Sequence, residues 1–379
     1  MNNESIPLSR PDITDAEIEA VVSVLRTDRL SRGPKLEIFE AAVAERAGRR
    51  QGIGVNSGTS GLHLCIKSLG IRDGDEVITT PFSFIATTNA ILFDRARPVF
   101  VDIDPVSYNM DPSLIEQAIT ERTKAIMPVE VFGNMAHFHE YEQIARKHNL
   151  RFIEDCCEAL GGRFGGKPAG KFGDCGVFAF YPNKQITTGE GGVIVTDDDD
   201  IARMCRALRN QGREDEDMYK HKYMGYNYRM GEMTAALGAA QMNRLDGILE
   251  KRRRVAQTYN EILADVEEIH LPNMAEPEHA GWFVYVIQLA DSFTREDRDA
   301  VMAHMQKNGI GCNTYFVPIH LQPFIKQMLG TKDGDFPRTE RVAARTICLP
   351  FFTNLKLEQA LEAKKALLKA ISRQKTSRS

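Results

Sequence analysis

The sequence predicts an α/β protein: a mostly parallel sheet covered by helices on both faces, followed by a smaller α+β domain. Three observations carry this expectation. Short apolar runs rich in Val and Ile alternate with helical segments between Glu76 and Thr196. A chain of 379 residues exceeds one small core and is long enough for two domains. Beyond Leu271-Pro272 the alternation gives way to a different mixture of strands and helices. The expected division is a large domain over residues 1–250 and a small one over residues 251–379.

Taken in order, Asp15–Leu25 places Ile18, Val21, Val22 and Leu25 at helical spacing, with Thr14 as its N-cap. Gly33-Pro34 breaks the chain, and Lys35–Ala47 forms a second helix. The turn Gly58-Thr59-Ser60-Gly61 then opens a helix over Leu62–Leu69. Strands are expected at Glu76–Thr80, Pro98–Asp102, Ala125–Val129, Arg151–Glu154, Gly176–Phe180 and Gly192–Thr196. Helices are expected at Ile85–Phe93, Pro112–Ile119 and Phe138–His148. Six glycines between Gly161 and Gly173 indicate a hairpin or loop. Asp197 to Asp200 form a solvated turn whose charge favours the start of the following helix. A long helical region, Glu232–Leu263, carries Lys251-Arg252-Arg253-Arg254 as a solvated face between the two domains. Further strands are expected at Trp282–Leu289 and Gly311–Phe316, and helices at Arg295–Asn308 and Leu357–Ile371, with a short frayed tail from Ser372.

Charged residues make up 26% of the chain, the net charge is −4 and no long basic run occurs, which argues against a dedicated nucleic-acid binder. No segment approaches the ~20 consecutive apolar residues of a membrane span. Met1 to Ser5 lack the charged and apolar regions of a signal peptide. Seven cysteines without a Cys-x-x-Cys pair make disulfides and a metal site unexpected and suit a reducing, cytoplasmic setting.

The chemistry centres on Lys184. An apolar strand runs into it, and Thr187-Thr188-Gly189-Glu190-Gly191-Gly192 leads out into the next strand. Taken alone, a lysine after a strand is more commonly a solvated turn residue. Asp155 ends another apolar strand, and a carboxylate there either caps a loop or keeps a pyridine nitrogen protonated. Gly58, Thr59 and Ser60 open a helix, where free N–H groups and the helix dipole favour a phosphate. Phe84, just after a strand, packs in the core or stacks on a flat cofactor. Gly225-Tyr226-Asn227-Tyr228-Arg229-Met230 is a polar aromatic stretch suited to a ligand or subunit contact.

Phosphate turn, aromatic, aspartate and lysine, in that order on a strand–helix scaffold, resemble the fold-type I pyridoxal phosphate enzymes. Within them the chain resembles the DegT/StrS group of sugar-nucleotide aminotransferases. The likeness runs from Ile6-Pro7-Leu8 to the last helix. It is carried by Asn56-Ser57-Gly58-Thr59, Gly74-Asp75-Glu76-Val77, Phe100-Val101-Asp102-Ile103-Asp104, Ile153-Glu154-Asp155, Lys184 with Thr188 to Gly192, Gly225 to Met230, and Pro318-Ile319-His320.

The resemblance implies a seven-stranded sheet and pyridoxal 5'-phosphate as cofactor. It implies that Lys184 holds the cofactor covalently and carries the proton, that Asp155 pairs with the ring nitrogen, and that Phe84 stacks on the ring. Gly58, Thr59 and Ser60 hold its phosphate. Asn227 reaches the phosphate of a neighbouring subunit's cofactor, which implies a homodimer with shared sites. Tyr315 and His320 fall near the sugar, and Arg229 is a candidate for the amino donor's carboxylate. The implied substrates are a nucleotide-linked keto-sugar and glutamate.

Two departures stand out. Most relatives have Gln or His where this chain has Glu158, near the cofactor's phenolic oxygen; an acid there must be protonated, turned away or hydrogen-bonded elsewhere. Glu158 is similar to the pattern of the perosamine-forming subgroup, which aminates carbon 4 of a GDP-linked 4-keto-6-deoxy sugar. Relatives usually have Ser where this chain has Ala179, and losing that hydroxyl weakens phosphate anchoring by about 1–2 kcal/mol if nothing replaces it. A UDP-linked sugar, or amination at carbon 3, remains open. A dehydratase on the same scaffold replaces the lysine with histidine, and a non-catalytic sensor or scaffold needs neither Asp155 nor Lys184.

Overall fold

The computed structural model describes residues 5–214, 219–276 and 279–376. Two helices, α1 (Asp15–Leu25) and α2 (Pro34–Arg46), precede the first strand, β1 (Gln51–Val55). There follow α3 (Gly58–Ser68), β2 (Glu76–Thr79), α4 (Ala86–Phe93), β3 (Arg97–Phe100), α5 (Pro112–Ile115) and β4 (Thr123–Met127). Next come α6 (Phe138–Lys147), β5 (Arg151–Asp155), the short hairpin β6 (Arg163–Phe164) and β7 (Lys167–Pro168), β8 (Cys175–Ala179), β9 (Gly192–Thr196) and α7 (Asp199–Arg209). The remainder comprises α8 (Glu232–Asn243), α9 (Leu245–Leu263), β10 (Ile269–His270), β11 (Tyr285–Leu289), α10 (Arg295–Lys307), α11 (Pro323–Leu329), α12 (Pro337–Ala343), β12 (Thr346–Leu349) and α13 (Leu357–Thr376).

The large sheet has seven strands in the order β1-β9-β8-β5-β4-β2-β3. Only β9 runs against the others, pairing antiparallel with both β1 and β8. Its strands are buried on both faces because helices cover each side. Phe39 of α2, Phe138 and Tyr141 of α6, and Ala235 of α8 pack in one core; Leu62 and Leu64 of α3, Ile91 of α4 and Cys205 of α7 pack in the other. Helix α1 starts on a reciprocal capping box between Thr14 and Glu17.

Sequence patterning missed β1, because Gly52 and Gly54 interrupt its apolar run. Both glycines face α2: a Cβ on Gly54 would lie 2.7 Å from Leu36 Cδ1, and one on Gly52 would collide with the carbonyl of Glu40. The absent side chains let helix and strand approach closely.

Helix α9 carries residues of two cores. Leu245, Ile248 and Leu249 belong to the large-sheet core, while Val255, Ala256, Tyr259 and Leu263 join the core of the small C-terminal domain. That second core forms around the antiparallel sheet β10-β11-β12. Ile6 crosses back to it and bridges Ile310, so both ends of the chain build the small domain.

Four expectations need correction. The Glu232–Leu263 region is two helices, broken at Arg244, whose guanidinium is held by Asp12 and Glu17. Arg252 is not on a solvated face: it is 3% exposed, donates to the carbonyls of Trp282 and Phe283, and lies over the Phe351 ring. Gly311–Phe316 is not a strand and has only one bridge, Asn313 to Cys348; the third strand of the small sheet is Thr346–Leu349. Helix α13 continues to Thr376, past the point where a frayed tail was expected. Among the described residues, no helix is long and apolar enough to cross a membrane.

Candidate active site

The chemistry-bearing residues collect where the parallel strands end. Turns after β1, β2, β5 and β8 deliver Ser57 to Thr59, Phe84, Asp155 to Glu158, and Lys184 respectively to one cavity of about 560 Å³. Carboxyl ends of parallel strands form such crevices because each connection leaves the sheet on the same side. The small domain closes the cavity with Phe283, Tyr315 and Phe316.

Helix α3 begins at the cavity wall. Ser57 caps it by accepting the Ser60 N–H at 3.1 Å. Gly58 is packed so closely on β8 that a Cβ there would meet Ala179 Cβ at 2.7 Å and Cys157 Sγ at 3.2 Å. The first turn of α3 therefore presents its free N–H groups along a backbone with no side chain in the way. Thr59 lines the same wall, whereas Ser60 turns aside: its Oγ is 2.6 Å from Asn56 Oδ1 and 2.9 Å from Ser57 Oγ. The expected hydroxyl donor at Ser60 is thus committed to the protein.

Asp155 is buried at the floor. Its Oδ2 accepts from Thr87 Oγ1 at 2.7 Å, and its Oδ1 accepts from the Cys157 N–H at 3.3 Å. Burial raises its pKa, against the pull of those hydrogen bonds and of Lys184. A cation set against the carboxylate, such as a protonated ring nitrogen, adds to that pull. Thr87 had no signal in the sequence; it is placed there by the first turn of α4.

Lys184 Nζ lies 3.5 Å from Glu158 Oε1 and 3.8 Å from the centre of the Phe283 ring. The other Glu158 oxygen accepts the Phe132 N–H at 2.8 Å. Burial raises the Glu158 pKa, opposed first by the charge of Lys184. Both oxygens of Glu158 thus face donors of the protein, the Lys184 amine and the Phe132 N–H. Phe283 carried no sequence signal, since it reads as an ordinary core residue beside β11. Asn183 Nδ2 donates to Tyr315 Oη at 3.3 Å, joining the lysine loop to the small domain.

Gly58, Thr59, Phe84, Asp155, Glu158, Lys184 and Tyr315 therefore share one cavity. Asn227, Arg229 and His320 do not line it. Asn227 is exposed, and Arg229 Nη1 donates to Asn210 Oδ1 at 3.1 Å. His320 is fully buried, with Nε2 2.9 Å from Glu340 Oε1 and its ring edge-on to Phe336. Its side chain is held between Glu340 and Phe336.

The donor set fits pyridoxal phosphate. The cavity offers what that group would need: an open helix N-terminus at Gly58 and Thr59 for a phosphate, the buried Asp155 carboxylate for a ring nitrogen, the Lys184 amine, and the ring of Phe84, which is 62% exposed.

Residues 11–367 match the DegT/DnrJ/EryC1/StrS aminotransferase family. The chain is similar to GDP-perosamine synthase of Caulobacter vibrioides, at 38% identity over 84% of this chain and 86% of that protein. It is also similar to UDP-N-acetyl-3-dehydro-alpha-D-glucosamine 3-aminotransferase of Acidithiobacillus ferrooxidans, at 37% identity over 92% and 91%. Among solved structures, NtdA from Bacillus subtilis with bound cofactor PMP superposes with a TM-score of 0.85, at 30% identity over 95% of this chain and 83% of that one.

Proposed function

Because the chain belongs to the DegT/DnrJ/EryC1/StrS aminotransferase family, a family of pyridoxal-phosphate-dependent sugar aminotransferases, we propose that it aminates carbon 4 of a GDP-linked 4-keto-6-deoxy sugar with glutamate as donor. The observation that carries the chemistry is the meeting of Lys184, Asp155 and the α3 N-terminus in one cavity. Two observations support the finer substrate reading: Glu158 in place of Gln or His, and the similarity to a GDP-perosamine synthase.

Pyridoxal 5'-phosphate supplies the electron sink that stabilises negative charge at the donor's α carbon. The residues do the rest. The first turn of α3, with the N–H groups of Gly58 and Thr59, would hold its phosphate. Asp155, oriented by Thr87 and the Cys157 N–H, would keep the ring nitrogen protonated. The Lys184 amine takes the proton from the donor's α carbon as general base and returns it on the other side of the transfer as acid. Glu158 and Phe283 bracket Nζ, so the amine stays within reach of that proton while the ring keeps water from one side. In the second half-reaction the keto-sugar enters from the Tyr315 side and the same proton path runs in reverse.

We assign the partner contact to a second copy of the chain. Asn227 is exposed on this copy, and Phe84 and Tyr181 are exposed at the cavity mouth, where a neighbouring subunit would cover them. Free cysteines suit a reducing, cytoplasmic location.

Similarity to a UDP-sugar 3-aminotransferase favours a second reading, a UDP-linked 3-keto substrate. A single-turnover experiment separates the two. Protein loaded with pyridoxamine phosphate is mixed with GDP- or UDP-linked 4-keto-6-deoxy sugar, or a UDP-linked 3-keto sugar, and the cofactor absorbance is followed. Return of the pyridoxal band with the GDP sugar alone supports the proposal. Return only with a UDP sugar overturns the nucleotide assignment, and return only with the 3-keto sugar overturns the carbon.

A further inference from the structure

We propose that Asn56 and His63 are positioning residues that tie the phosphate-binding turn of one subunit to the Asn227 segment it offers its partner, thereby coupling the two cofactor sites of a dimer. The proposal rests on the shared-site reading above.

Two links run between these places. The Ser60 hydroxyl, in the first turn of α3, donates to Asn56 Oδ1 at 2.6 Å. Asn56 Nδ2 donates in turn to the carbonyl of Asn227 at 3.4 Å, and the Asn56 N–H donates to the carbonyl of Tyr228 at 2.9 Å. One turn further along the same helix, His63 Nδ1 is 3.2 Å from Tyr228 Oη. His63 Nε2 is 3.2 Å from Asp94 Oδ2, and Lys67 Nζ donates to Asp94 Oδ1 at 2.7 Å. The imidazole is 3% exposed and lies between the Asp94 carboxylate and the Tyr228 phenol, with its hydrogen bond running to the phenol.

The segment's extended geometry explains why this matters for Asn227. Val55 bridges Arg229 and Asn210 bridges Asn227, so side chains here alternate from one side to the other. Tyr226 and Tyr228 point inward, stacked on each other at 4.8 Å and packed on His63 at 4.9 and 5.9 Å. Asn227, between them, points out. Its placement is set by neighbours anchored to α3, the helix whose first turn holds a phosphate in its own subunit. A small shift of α3 on loading one site thus moves Asn227, and with it the partner's site.

Mixed dimers test this. Subunits carrying Lys184→Ala and Asn227→Ala are co-expressed with different tags, and the mixed dimer is isolated. Its single live site takes Lys184 from one subunit and Asn227 from the other. Recovered transamination is the expected result; no recovery overturns the shared-site reading and this inference with it. Asn56→Ala or His63→Gln is then added to the Lys184→Ala subunit, so that the live site meets the change only through Asn227. Half-saturation of activity by pyridoxal phosphate is expected to rise roughly three- to tenfold, from the loss of one net hydrogen bond, with kcat at saturating cofactor unchanged. Unchanged half-saturation while complementation persists overturns the inference alone. Tyr228→Phe, which keeps the ring stack and removes only the hydroxyl, is expected to shift it in the same direction and serves where a larger change impairs folding.

Discussion

The two walls of the cavity are built in different ways. The wall from the seven-stranded sheet is made of strand ends: Ser57 to Thr59, Phe84, Asp155 and Lys184 follow β1, β2, β5 and β8. The wall from the small domain is made of aromatic rings, Phe283, Tyr315 and Phe316, brought in by segments that do not end strands of the large sheet. The first wall fixes reacting groups on a rigid frame, whose register leaves each little freedom. The second supplies shape, and its position depends on how two cores meet along α9. Under the proposed function, chemistry and specificity sit on separate bodies, and substitutions on the two sides should act on different kinetic constants.

The largest expected effect is on the sheet wall. Lys184→Ala removes the proton carrier, so turnover falls roughly a hundred- to ten-thousandfold, and borohydride no longer fixes the cofactor to the protein. Retained labelling at another lysine would place the reacting amine elsewhere. Asp155→Asn keeps the shape and removes the charge, lowering kcat roughly ten- to a hundredfold in both half-reactions. If only the sugar half-reaction slowed, the role given to Asp155 would fail.

A smaller effect is expected across the cavity. Tyr315→Phe breaks the bond from Asn183 and should raise KM for the nucleotide sugar about two- to tenfold while sparing the glutamate half-reaction. Equal changes in both half-reactions would erase the division between the walls.

The smallest expected effect is on stability, beneath the sheet wall. Glu130 is fully buried and neither of its oxygens has a protein donor, while Glu154 beside it accepts N–H bonds from Gly170 at 2.6 Å and Phe172 at 2.8 Å. Burial first, and then the charge of Glu154, pushes Glu130 well above the ordinary carboxylate value of 4.5. The folded chain thus keeps a proton that the unfolded chain releases near that value. The stabilisation is complete below it and is lost as pH rises through the folded pKa. Glu130→Gln has no proton to lose, so as pH rises above about 5 its Tm should fall less than that of the wild type. Parallel Tm curves would show that Glu130 does not titrate in the fold.

Much of the sheet wall was legible in the chain. Strand β5 ends on Asp155 within an apolar run, and the glycines after Lys184 mark the return into β9, so local pattern located both. Ser60 shows the limit of that reading: a hydroxyl in a phosphate turn looks like a donor, but Asn56 takes it. His320 shows it again, because whether a histidine faces a sugar or Glu340 depends on the packing of α12. Arg252 looked solvated among its basic neighbours, yet it is buried and satisfies the carbonyls of Trp282 and Phe283, some thirty residues along the chain.

By itself, the sequence determined the alternation of strand and helix and the strand ends that carry Thr59, Phe84, Asp155 and Lys184. These follow from periodicity and turn chemistry over a few residues, which the chain states locally. Only the tertiary structure decided that Phe283 lies under the Lys184 amine, that Thr87 bonds Asp155, that Glu158 has a donor for each oxygen, and that Asn56 and His63 bond the Asn227 carbonyl and the Tyr228 hydroxyl. Each of these contacts joins residues far apart in the chain, and their partners are chosen by how packed layers meet rather than by neighbouring sequence.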